Sequence, residues 1–175
     1  MRQLIESIHG EYVRYKQLAE DAMAQLEEGS LAAPGPNGGN SIATICWHMS
    51  GNLASRFTDF LDSDGEKPWR RREEEFFARQ VTRAELLAKW AHGWDILFAV
   101  LGRLTDADLT RTVTIRQQPL RVDEALHRSL AHTSYHVGQI VYLAKAMKGK
   151  DWRYLSIPPG QSAAYNAAPD KERPR

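Results

Sequence analysis

The stretch HTSYHVGQI, residues 132–140, sets two histidines four positions apart beside an apolar run. On a helix, positions four apart share one face, with their Cβ atoms roughly 5–6 Å apart. His132 and His136 can therefore hold one ion between them. Neutral imidazole suits zinc, nickel, iron and copper. Two ligands are rarely enough, and a catalytic centre wants three plus an open position. The H-x-x-x-H spacing alone is a weak motif, because histidine pairs recur on helices by chance.

The third ligand is expected on a different element, and His48 is the candidate. It follows an apolar stripe, Ile45, Met49, Leu53, Phe57 and Phe60, interleaved with Asn52 and Arg56. A helix carrying His, Asn and Arg along its inward stripe is unusual for plain core. Asn52 and Arg56 follow His48 at one and two turns, so they are candidate lining of the same cavity. Gln139 and Tyr135 are weaker candidates for contacts that orient the ligands. For these four, ordinary packing and helix-to-helix hydrogen bonding is the competing reading. His9, His92 and His127 have no such context; His127 precedes His132 by five and points well away from it. Cys46, the single cysteine, lies about two hundred degrees around the helix from His48. It reads as a small buried hydrophobe, a low-pKa thiol being the alternative.

These side chains need helices to position them. Leu4, Ile5, Ile8, Tyr12, Tyr15, Leu18, Ala22 and Leu26 recur at helical spacing and predict a first helix over about 3–28. A Gly- and Pro-rich loop follows. A second helix starts near Asn40 or Ser41 and runs through Leu61. The segment DSDGEKPWRRREEEFFARQV reads as an exposed connector, its three arginines neutralised at once by three glutamates. Trp69, Phe76 and Phe77 suggest that part of it lies against the body. Thr82 and Glu85 form a capping box for a third helix ending near Leu104. Val113 and Ile115 alternate with polar residues, predicting a short β-hairpin or extended arm. A fourth helix is expected over about 123–148, stopped by Gly149. The apolar first half of the tail is expected to dock, and its last nine residues or so to be disordered. Four long helices with apolar stripes bury them most economically as an all-α four-helix bundle. One domain over 1–166 with a tail at 167–175 is the expected organisation.

Composition narrows the function. The chain has 175 residues, 42% hydrophobic and 26% charged, with a formal net charge of +1. Nothing there calls for nucleic acid or an anionic membrane as a partner. There is no apolar leader and no run of roughly eighteen apolar residues, so a cytoplasmic location is expected. No G-x-S-x-G, phosphate-binding loop or G-x-G-x-x-G occurs, nor paired Glu-x-x-His of the di-iron type.

Three longer stretches carry a resemblance. NSIATICWHMSGNLASRFTDFLDSDGEKPWRRREEEF, HTSYHVGQIVYLAK and WRYLSIPPGQSAAYN resemble a DUF1572-type member of the DinB/YfiT-like metalloenzyme superfamily. The resemblance spans Asn40 to Asn166. It implies an up-down-down-up bundle, often a homodimer, and a divalent zinc, nickel or iron ion held by His48, His132 and His136. Relatives with known activity use a low-molecular-weight thiol, adding it to an electrophile or using it in an isomerisation. The resemblance thus implies a small-molecule substrate and a thiol transferase-like or related detoxifying activity. A metal-dependent hydrolase, and a metal-stabilised binding or assembly module without turnover, are the alternatives. The fourth ligand discriminates them: a reachable cavity there favours the enzyme, a fourth protein ligand the structural role.

Overall fold

A computed structural model of the chain describes residues 3–170. Helix α1 spans Gln3–Ala24 and buries Ile5, Ile8, Tyr12, Ala19, Ala22 and Met23 along one stripe. It ends a turn earlier than its periodicity suggests. The expected loop after it contains a short helix, α2 (Glu28–Leu31), and a 3-10 turn over Pro36–Gly38. Leu31, wholly buried, anchors this segment.

Helix α3 covers Ile42–Phe57, and the Ser41 hydroxyl caps it by accepting from the Thr44 N–H at 3.0 Å. It stops short of Leu61 because Thr58 is extended and Asp59 is left-handed, at φ 46°. Helix α4 spans Arg83–Arg103 behind the Thr82–Glu85 capping box. Strands β1 (Thr112–Ile115) and β2 (Gln118–Arg121) pair antiparallel. Helix α5 runs Val122–Lys148 and is closed by Gly149 at φ 61°. A further short helix, α6 (Ser162–Ala167), forms where the tail sequence has no helical period. Trp152 docks as expected, and Gln25 exchanges two hydrogen bonds with the backbone of Arg153. Of the stretch 167–175, residues 171–175 lie outside the described residues.

The protein is therefore mostly helical, with a small two-stranded sheet. The long helices touch as two principal pairs, α1 with α5 and α3 with α4; α3 also meets α5, and α1 meets α4. Trp90 and Trp94 of α4 fill the centre with no exposed surface. Trp94 stands edge-on to Tyr12, and the Trp90 indole donates to Glu20 at 3.1 Å. The α3–α4 pair is close because of Gly93: a Cβ there would lie 2.7 Å from the Cα of Ser50.

The β-hairpin turn is Arg116–Gln117, both at positive φ, 54° and 62°. Asn-Gly is the usual solution for such a turn. Here a distant carboxylate compensates. Asp64, in the connector after α3, accepts from the N–H groups of Arg116 at 2.9 Å and Gln117 at 2.7 Å. It also accepts from its neighbour Glu66 N–H, and these backbone bonds hold its carboxyl down at about 2. The connector is thus pinned to the hairpin. Asp64→Ala is expected to loosen the hairpin and lower the melting temperature. An ionised Asp64 is bound more favourably folded than unfolded, so this stability is present above its ordinary value of 3.8 and lost as pH falls towards 2. Melting curves of wild type and variant should converge across that window; a constant gap would exclude the carboxylate as the cause.

Candidate metal centre

His48 lies mid-α3 and is buried, while His132 and His136 lie one turn apart on α5, where that helix meets α3. The three offer one ring nitrogen each, all within 4.8 Å of one another. The Nε2 of His132 stands 3.3 Å from that of His48 and 3.2 Å from that of His136. An ion bound tetrahedrally by imidazoles at about 2.0–2.1 Å needs donors roughly 3.3–3.4 Å apart. Both pairs that include His132 match that spacing and the remaining pair lies within 4.8 Å, so the three donors could hold a metal ion.

Hydrogen bonds on the far sides of the rings fix their tautomers. His48 Nδ1 faces Glu75 Oε2 at 3.0 Å. Burial pulls the Glu75 carboxyl upward, but bonds from Arg70 and His48 outweigh that and hold it below its ordinary value. An ionised carboxylate only accepts, so Nδ1 of His48 carries the proton and its Nε2 presents a lone pair. His136 Nδ1 likewise donates to Gln139 Oε1 at 2.8 Å, and the Gln139 amide donates on to the Tyr135 hydroxyl. Two lone pairs thus converge on His132. A proton there can satisfy one of them; a metal cation satisfies all three nitrogens. Burial, followed by the charges of His136 and His48, pushes His132 down to about 4. His136 is pushed down by burial, with the Gln139 bond opposing. Both rings therefore meet a cation as free bases at neutral pH.

The support of His48 comes from the charge run that reads as solvated connector. Part of that run is buried, contrary to the expectation. Arg71, Arg72, Glu73 and Glu74 are exposed, but Glu75 is buried and the Arg70 side chain is 2% exposed. Arg70 grips Glu75 through two parallel bonds of 2.8 Å. Phe76 lies against the His48 ring at 4.8 Å, whereas Trp69 and Phe77 are largely exposed. Arg79 stacks on Trp47 and donates to the backbone oxygens of Glu74 and Glu75, clamping the turn.

Gly51 makes room for this arrangement. A Cβ at position 51 would sit 2.1 Å from Glu75 Oε1, so any side chain displaces the carboxylate. Gly51→Ala is expected to keep the helix, since alanine favours it, yet to weaken metal binding on the order of 10–100-fold. Competition against a chromophoric chelator, with circular dichroism alongside, measures both. Unchanged affinity would show that the Glu75 bond is dispensable.

Asn52 and Arg56 line, with His48 and His132, a cavity of about 450 Å³. His9 packs on Phe98, His92 is exposed, and exposed His127 bonds the Asp123 carbonyl. Cys46 is fully buried against Met23, and burial pushes its thiol up, which removes the reactive-thiol alternative.

Fold and centre together define a class: a mostly helical protein whose long helices bring three histidines to a candidate metal site. Within that class, the chain belongs to the DUF1572 family, described as a protein of unknown function, whose model matches residues 1–161. A search of curated proteins finds no match to it. No helix among the described residues is long and apolar enough to cross a membrane.

Proposed function

We propose that the chain is a metal-dependent enzyme of the DinB/YfiT-like superfamily, acting on a small molecule with a low-molecular-weight thiol as co-substrate. Residues 1–166 form its single domain, an up-down-down-up four-helix bundle. The ring of contacts α1–α5–α3–α4–α1 supports that bundle. A homodimer follows from the same resemblance, and a cytoplasmic location is the expectation drawn from the sequence.

One observation carries the enzymatic reading: two of the three ligands, His48 and His132, form part of the wall of a cavity of about 450 Å³. That is ordinary for a small-molecule site. No fourth His, Cys, Asp or Glu joins the cluster among the described residues. Glu75, the nearest carboxylate, is committed to His48 and Arg70. A purely structural site would close its fourth position with a protein ligand.

A bound zinc, nickel or iron ion supplies Lewis acidity at the open position, favouring the thiolate form of a thiol there. The protein's own groups do the rest. Glu75 and Gln139 hold the ligand rings in register. Phe57, Phe60 and Ile115 give the cavity an apolar lining. Asn52, on the His48 stripe, offers a neutral donor and acceptor for orientation.

The test is thiol consumption in the presence of an electrophile, screened over several thiols with metal-loaded and chelator-stripped protein. Turnover that requires the metal is expected. Stoichiometric metal without metal-dependent turnover for any thiol would favour the non-catalytic module.

A further inference from the structure

The cavity beside the histidines has a charge the triad does not explain. Five arginines line it, Arg56, Arg70, Arg72, Arg116 and Arg128, and no carboxylate does. Three glutamates set back from the wall pair with four of them. Glu66 takes Arg56 and Arg116, Glu75 takes Arg70, and exposed Glu73 takes Arg72. Arg128 has no acidic partner among the described residues. Buried Arg70 Nη1 has no acceptor there either. The guanidiniums are close enough to oppose one another: burial, then Arg70 and Arg116, work against the charged form of Arg56, with Glu66 opposing them. A divalent ion on the histidines would add to this positive field. Gathering like charges around a partly apolar cavity costs free energy, and an anion placed among them offsets that cost.

Position along the helices narrows the ligand further. Arg128 precedes His132 by one turn of α5, and Arg56 follows His48 by two turns of α3. Those offsets are about 6 and 12 Å along the helix axes. The Arg56 and Arg128 backbones are thus offset from the metal ligands along the helices, while the Arg56 charge still reaches His132, and Phe57, Phe60 and Ile115 line the same cavity.

We propose that this cavity takes a small organic anion whose carboxylate or phosphate is bound by Arg56, Arg116 and Arg128. Its apolar body lies along Phe57, Phe60 and Ile115, with its reactive end toward His48 and His132. This deepens the functional reading above and rests on it for the role of substrate. Anion binding itself is measurable without turnover.

Benzoate, phenyl phosphate and neutral benzyl alcohol serve as probes of one apolar body with different heads. Isothermal titration at low ionic strength is run on metal-free and metal-loaded full-length protein. At least one of the two anions is expected to bind at least ten-fold more tightly than benzyl alcohol, in both forms. Which anion binds tighter distinguishes carboxylate from phosphate. Arg128 is exposed and Arg116 lies at a turn, so Arg128→Gln and Arg116→Gln leave the fold intact, as circular dichroism should verify. Each is expected to weaken the preferred anion about ten-fold, in line with a lost charge-assisted bond, and to leave benzyl alcohol unchanged. No anion preference, a preference present only with metal, or one that survives both substitutions would overturn the proposal. Metal content measured on the same samples reports on the histidine centre separately.

Discussion

His132→Ala is expected to abolish stoichiometric metal binding while leaving the fold in place. Its Nε2 is the one within 3.3 Å of both other donors, so its loss leaves two nitrogens with no third beside them. Structural zinc sites bind with about 10–16 kcal/mol over four ligands, or roughly 3 kcal/mol per ligand. Losing one ligand thus costs on the order of 100-fold in affinity or more. Elemental analysis of protein purified without a histidine tag, followed by competition titration, reads this directly. Equal metal in wild type and variant would sink the assignment of the centre.

The same substitution changes the pH dependence of the metal-free protein. His132 is held at about 4 when folded, against 6.5 ordinarily. Between those values the unfolded chain binds a proton that the folded chain refuses. Wild-type stability should therefore rise with pH from about 4 to 6.5. His132→Ala should flatten that part of the profile, as thermal melts across the window would record. A bound ion stabilises the folded state by an amount that grows with the logarithm of the free ion concentration over its Kd, so the metal-free and metal-loaded melts must be compared separately.

How much of this is legible in the sequence depends on whether the cause is local. The stripes of the four long helices are periodic, and the caps Ser41 and Thr82–Glu85 and the stop at Gly149 are local signals. His132 and His136 are legible as a pair because four residues make one turn. His48 is legible only as a polar intruder on an apolar stripe, and its convergence with the pair depends on how α3 meets α5. The Arg70–Glu75 pair is hidden for a different reason. In RRREEE each charge has a nearby opposite, so local arithmetic predicts a solvated run. Which arginine and which glutamate turn inward is decided by His48, more than twenty residues away. Gly51 hides as well, since a glycine inside a helix reads as a small cost. Only Glu75 beside it reveals why a side chain is excluded. The hairpin turn lacks the Asn-Gly signature because Asp64 supplies the stabilisation from outside it.

Arg70→Ala is expected to be the most destabilising substitution near the centre. The pair is buried, with side-chain exposures of 2% and 9%. Burying two charges is expensive, and the pair is tolerated because two short parallel bonds accompany the attraction. Removing Arg70 leaves the Glu75 carboxylate buried with His48 as its remaining side-chain partner. Breaking such a pair from one side costs about 3–5 kcal/mol, which for a chain of this length lowers the melting temperature by roughly 6–20 °C. Removing both charges with Arg70→Ala/Glu75→Ala discards the orphaned carboxylate, so the double variant should be more stable than Arg70→Ala alone. Urea unfolding of the wild type, Arg70→Ala, Glu75→Ala and the double variant closes the cycle. A double variant no more stable than the single would show that the pair contributes packing and not charge compensation. Metal affinity should separate the two effects. It should fall in Glu75→Ala and in the double variant, because both remove the acceptor behind His48 Nδ1, and less in Arg70→Ala, which keeps it, whereas stability should recover in the double alone.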